Sequence, residues 1–131
     1  MNALKVLIVE DEPNARSGLA ELVTGWGYRA ETAKDGAEGL EKAVAWDPAI
    51  LITDLKMPRV DGLELIERLQ ETAARPVIVV VTAQGSIESA VDAMKLGAYD
   101  FVQKPIDPTR MKIILNNARD ALEKRDDVLK L

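Results

Sequence analysis

Residues 77–85 read VIVVVTAQG, an apolar run closed by a threonine, then a small residue and a loop. A continuous apolar run rich in valine reads as a strand buried on both faces, and such strands belong to parallel sheets. Its exit delivers one hydroxyl, that of Thr82. Two other stretches repeat the pattern with acids in that place. AILITDLKMP (49–58) delivers Asp54, and VLIVEDEP (6–13) delivers Glu10 and Asp11.

Working outward, five apolar runs stand out: Lys5–Val9, Tyr28–Thr32, Ile50–Thr53, Val77–Thr82 and Asp100–Gln103. Their starts lie about 22 to 27 residues apart, room for one helix and two loops each time. The segments between them carry helical periodicity. Ile87, Ala90, Val91 and Met94 form one stripe, and Met111, Ile114, Leu115, Ala118 and Leu122 form another. The alternation predicts an α/β fold with a doubly wound parallel sheet. Right-handed crossovers bring every strand's C-terminal end to one edge, so Glu10, Asp11, Asp54, Thr82 and Lys104 emerge along one rim. In such sheets ligands bind at that rim.

The acids sort by local context. Asp35 and Asp61 each stand three residues before a glutamate, the spacing of a capping box, and Asp107 precedes Pro108. Those three have a sufficient task as helix caps. Glu10, Asp11 and Asp54 follow apolar strands and have none.

Composition narrows the chemistry. The chain has 131 residues, a net charge of −5, no cysteine and no histidine. Thiolate metal sites, disulfides, cysteine nucleophiles, a histidine base and a phosphohistidine carrier are excluded. The negative balance argues against nucleic-acid binding by this fragment's own surface, which needs clustered Lys and Arg. No apolar run reaches the roughly 20 residues that span a membrane, and the first residues show no export signal, so a cytoplasmic location is expected. Oxygen-only acids suit a hard cation such as Mg²⁺ or Mn²⁺. A carboxylate beside such a cation, with Lys104 at the end of FVQKP (101–105), has the make-up of a phosphoryl-transfer site. Thr82 could then donate to a phosphoryl oxygen.

The blocks VLIVEDEP, LITDLKMPRVDG, VVVTA and GAYDFVQKP, in that order over about residues 4–120, resemble the signature set of the receiver domain of bacterial two-component response regulators. The resemblance implies a flavodoxin-like sheet of five parallel strands in the order 2-1-3-4-5. It implies that Asp54 is the phosphoacceptor, taking its phosphoryl group from a sensor histidine kinase. Asp11 would ligate Mg²⁺ directly, Glu10 through water, and the Lys56 backbone carbonyl would join them. Thr82 matches the switch hydroxyl, Lys104 the lysine that pairs with phosphoryl charge, and Phe101 the switch aromatic. The acidic pair is Glu-Asp where the family often has Asp-Asp, and Phe101 stands where tyrosine is frequent. Lys104–Pro105 becomes a candidate cis peptide. The fourth helix, fifth strand and fifth helix, about Ser86–Leu122, would form the output face. Such a domain is no enzyme toward a separate substrate, although it catalyses its own phosphorylation and slow dephosphorylation.

The resemblance divides the chain into a receiver domain over 1–120 and an extension of the fifth helix over 121–131. That extension is either a frayed end or the start of a dimerising linker. Leu115, Ala118, Leu122 and Leu129 nearly follow a heptad, and Arg125 interrupts it. GSIESAVDAMKLGAYDFVQKP (85–105) is most similar to receivers of the nitrogen-regulatory protein C (NtrC) family. That likeness implies AAA+ and DNA-binding output domains in a longer protein, since this chain holds neither a Walker motif nor a helix-turn-helix. The alternative is a stand-alone receiver signalling by protein–protein contact. A phosphatase or dehalogenase with an aspartate nucleophile would need a second Asp at position 56, which is lysine. A flavin or dinucleotide site would need a phosphate-binding loop after the first strand, where EDEP presents negative charge.

Overall fold

In the structure of the chain, a computed structural model, residues 3–57, 59–83 and 87–130 are described, with side chains as far as 125. Each apolar run forms a strand: β1 (Lys5–Val9), β2 (Arg29–Ala33), β3 (Ile50–Asp54), β4 (Val77–Thr82) and β5 (Asp100–Gln103). They alternate with α1 (Pro13–Gly25), α2 (Gly36–Trp46), α3 (Gly62–Leu69), α4 (Ile87–Lys95) and α5 (Pro108–Lys130). The sheet order is β2-β1-β3-β4-β5 and every pairing is parallel, as expected.

Alternate strand residues point to opposite faces, and each face has its own core. Val6, Ile8, Ile52 and Val81 pack with Leu19 and Val23 of α1 and with Met111, Leu115 and Ala118 of α5. Leu7, Val9, Leu51 and Val80 pack with Ala43 of α2, Leu65 and Ile66 of α3 and Ala93 of α4. The central strands are therefore buried on both sides, which is why they read as unbroken apolar runs.

Two boundaries differ from the expected ones. The second strand spans Arg29–Ala33 instead of Tyr28–Thr32, because the Tyr28 N–H donates to the Val23 carbonyl (3.1 Å) and closes the turn after α1. Gly27, at φ +98°, makes that turn. The third strand includes Asp54, whose Cα pairs with Val81, so this acid sits in the ladder and not in a loop.

The three aspartates cap their helices. Asp35 accepts from the Glu38 N–H (2.8 Å), Asp61 from Glu64 (2.9 Å) and Asp107 from Thr109 (3.0 Å). The glycines that follow Asp35 and Asp61 do as much as the caps. A Cβ on Gly36 would stand 1.9 Å from the Val60 carbonyl oxygen, and one on Gly62 would stand 2.4 Å from that of Asp54. The N-termini of α2 and α3 thus press directly on the segment that follows Asp54. Among the described residues, no helix is long and apolar enough to cross a membrane. Ser86, where the expected output face begins, and the Leu129 side chain lie outside what is described.

Candidate functional site

Four strand ends build the site. β1 continues past Val9 far enough for the Glu10 N–H to bond the Ala33 carbonyl (3.0 Å), which turns the Glu10 side chain into the rim at 6% exposure. Asp54 ends β3 at 7% exposure, and Thr82 ends β4 at 2%. Lys104 follows β5. Its N–H donates to the Thr82 carbonyl (2.8 Å), and the Lys104–Pro105 bond is cis.

The Lys104 ammonium is shared between two carboxylates, donating to Asp54 Oδ2 (2.5 Å) and Glu10 Oε1 (3.1 Å). The other oxygen of each acid takes a backbone donor: Lys56 N–H on Asp54 Oδ1 (3.0 Å) and Glu12 N–H on Glu10 Oε2 (3.1 Å). Asp11 is exposed beside them. One carboxylate oxygen from each of Glu10, Asp11 and Asp54 lies within 4.8 Å of the others. Three carboxyl groups face one ammonium, so when all are ionised two negative charges stand uncompensated.

Burial is the largest influence on Glu10 and raises its carboxyl above the ordinary value, with Asp11 and Asp54 adding to the rise. The Glu12 N–H and Lys104 pull the other way without cancelling it. Burial by itself would lower Lys104, but its hydrogen bonds to Asp54 and Glu10 outweigh this and raise it. The lysine is therefore a fixed cation at neutral pH.

A cleft of about 200 Å³ unites Glu10, Asp11, Asp54, Lys56, Thr82 and Lys104, with Ser89 of α4 on its wall. The Thr82 hydroxyl is buried and has no hydrogen-bond partner among the described residues. A buried polar group without a partner is uncommon and calls for one. The donor set is oxygen throughout, which fits a hard cation, and the orphaned hydroxyl fits an incoming oxygen acceptor. Phe101 stands apart from the cleft. It is half-buried against the α2–α4 core, paired in the ladder with Val80.

Three features escape a reading of the sequence. Glu12 caps α1 by accepting from the Asn14 and Ala15 N–H groups (3.1 and 2.6 Å), a task hidden because it sits among the rim acids. Asp35 is more than a cap: its second oxygen pairs with Arg59 Nη1 at 3.2 Å. Arg59 reaches it from a left-handed backbone at φ 71°, which residue type alone does not announce. Ser89 reaches the cleft from a helix, where only the strand ends gave a signal.

Comparison with known proteins agrees with this architecture. Residues 6–116 match the family model described as the response regulator receiver domain. The nitrogen assimilation regulatory protein NtrX of Azorhizobium caulinodans is 36% identical over 128 residues, covering 96% of this chain and 28% of that protein. The DNA-binding transcriptional regulator NtrC of Escherichia coli is 32% identical over 102 residues, covering 78% of this chain and 22% of that protein. The crystal structure of NtrX from Brucella abortus superposes with a TM-score of 0.90 at 28% identity, over 96% of this chain and 29% of that one. The chain thus spans about a quarter of the length of these relatives, and the expected likeness to regulators of the NtrC type holds. A parallel sheet in the order 2-1-3-4-5, an acidic rim and a family match over nearly the whole fold lead to one conclusion: the chain belongs to the response regulator receiver domain family.

Proposed function

We propose that Asp54 is the phosphoacceptor of this receiver, taking a phosphoryl group from the phosphohistidine of a sensor histidine kinase. An Asp54 carboxylate oxygen forms the new O–P bond as the P–N bond of the donor breaks, and the histidine leaves as a neutral imidazole once protonated. The observation that carries this reading is the buried, unpartnered Thr82 hydroxyl lining the same cleft as Asp54 and Lys104.

Each residue then has a task. Lys104, raised and charged, stays beside the transferred group and offsets its negative charge. Thr82 donates its hydroxyl to a phosphoryl oxygen, which draws the end of β4 toward Asp54. Because the Lys104 N–H is bonded to the Thr82 carbonyl, β5 is coupled to that movement. Phe101, on β5 and half-buried, moves inward as the switch aromatic. Glu10, Asp11, Asp54 and the Lys56 carbonyl would hold Mg²⁺ or Mn²⁺. When bound, the ion supplies neutralisation of the charge gathered on the transferring oxygens. The domain acts on itself alone, forming the aspartyl phosphate and slowly losing it.

Residues 1–120 are the receiver and 121–131 the start of a linker, into which α5 runs as far as Lys130. The output face of α4, β5 and α5 controls AAA+ and DNA-binding domains in the full-length protein, in the cytoplasm, with a homodimer formed through α5. Exposed Val91, Met94, Tyr99 and Ile113 on that face support the reading, since they are large apolar side chains free to dock. The test is intact mass after incubation with Mg²⁺ and acetyl phosphate. One hydroxylamine-labile phosphoryl group is expected, absent without Mg²⁺ and absent in Asp54→Asn. A folded protein that takes up neither phosphoryl group nor Mg²⁺ would overturn it.

A further inference from the structure

A second cavity, of about 640 Å³, opens on the α1–α5 face of the sheet and reaches the acidic rim from that side. Its volume is that of a small-molecule site. Ile8, Ile52 and Val81 of the packed core lie beneath it, and its accessible walls come from Ala15, Gly18 and Leu22 of α1 and from Pro105 and Ile106. One end is polar, closed by Glu10, Glu12, Asp54 and Lys104.

The cavity is open because α1 presents small, exposed residues, Ala15 and Gly18, beside the Leu19 and Val23 face that packs on the sheet. Gly18 lines it from the middle of the helix, a position where glycine weakens a helix relative to alanine. Nothing lies within 4 Å of where a Gly18 Cβ would stand. Packing within this chain therefore gives no reason for a glycine there, unlike Gly39, whose Cβ would meet Val9 at 2.8 Å. The polar end is strongly biased in charge: three carboxylates against a single ammonium that is already engaged twice. Apolar walls and an unbalanced anionic end are complementary to a molecule with a cationic head and a hydrocarbon body.

We propose that this cavity binds a small amphipathic amine, its ammonium at the Glu10–Glu12 end and its hydrocarbon body against Leu22, Ile106 and the Gly18 face of α1. Glu12 is the natural acceptor because its carboxylate is exposed at the mouth while its backbone hydrogen bonds fix its orientation. Binding itself does not depend on the phosphoacceptor reading. Competition with Mg²⁺ does, because Glu10 and Asp54 border both cavities.

The experiment is a titration of the ¹⁵N-labelled chain with hexylammonium at constant ionic strength, beside hexanoate, hexanol and methylammonium as probes. Saturable shifts confined to the cavity residues are expected for hexylammonium, with the other three at least about tenfold weaker, since each lacks the charged hydrogen bonds or the apolar burial. Gly18→Leu, which fills the cavity and leaves the rim acids in place, should weaken hexylammonium at least about tenfold and leave Mg²⁺ affinity unchanged. Should that variant not fold, Glu12→Gln serves, weakening hexylammonium and not hexanol. Equal binding of hexanoate or hexanol, no saturation, or an unchanged affinity in the variants overturns the proposal. So do shifts that follow protein concentration in place of amine, which would seat a second copy in the cavity. Amine binding that Mg²⁺ fails to displace upholds the proposal and counts instead against the metal reading of the rim.

Discussion

Lys104 is the only cation hydrogen-bonded to the carboxylates of Glu10 and Asp54 among the described residues, so its removal strands both acids. Lys104→Met is expected to cost about 1–3 kcal/mol at pH 7, less than a fully buried pair would, because the ammonium is partly open to water. The sign of its pH dependence follows from Glu10. That carboxyl is already raised by burial and would lose the ammonium that holds it down. With a folded value above the unfolded one, the variant regains stability as pH falls from 7 toward 5 and Glu10 takes up a proton. In the parent chain Lys104 is itself raised, so its contribution is whole below the ordinary lysine value and is lost only as pH climbs through the raised one. Urea midpoints of both chains at pH 5 and 7 check this. Asp35 and Arg59 form an unequal pair on the same scale. Asp35→Ala removes a cap and should cost about 1–2 kcal/mol. Arg59→Gly gives up a partner that is two-thirds exposed and relieves a left-handed backbone of about 1–2 kcal/mol, so its thermal midpoint should equal or exceed the parent's.

Two helix glycines look alike in the sequence and differ in the structure. Gly18 faces open space, so Gly18→Ala should stabilise the chain by about 0.5–1 kcal/mol. Gly39 faces the Val9 side chain, so Gly39→Ala should destabilise it by about 1–3 kcal/mol despite the better helix former. Denaturant titration of the two variants side by side gives opposite shifts. The contrast shows what the sequence holds at this scale. Strands were legible because a double-sided core demands unbroken apolar runs such as 77–81, and the common edge of their exits follows from parallel topology. That rule alone gathers Glu10, Asp54 and Thr82. The edge strand β2 alternates in burial and so left its start one residue uncertain. Contacts set by approach distance stayed hidden: Gly36 against Val60, and Arg59 against an acid 24 residues earlier. Periodicity carries no information about how closely two segments pass.

At the scale of the molecule, α5 joins the two ends of the sheet. It begins just after the rim, and its Leu122 and Arg125 border a cavity shared with Leu4 and Ala49, at the start of β1 and beside that of β3. Arg125, the residue that breaks the heptad stripe, donates to the Arg75 carbonyl at 3.3 Å. Leu115, Ala118 and Leu122 are buried against the sheet, so pairing of the extension with a second copy would have to begin beyond them; Arg125→Leu should carry the apolar heptad positions past Leu122 and lower the concentration at which sedimentation equilibrium detects a dimer. A folded variant that stays monomeric would count against pairing through α5. The helix has 23 residues, hence a length of about 34 Å at about 1.5 Å per residue. It is therefore a rod that runs from the rim to the opposite edge of the sheet. A tilt of about 5° at its first turn leaves Met111 nearly in place but carries Leu122 through about 2 Å, so Ile114, Leu115, Ala118 and Leu122 must repack against the sheet to accommodate it. Arg125 grips the body of the domain about three-quarters of the way along, so the displacement that α5 carries past that point depends on whether that one hydrogen bond holds.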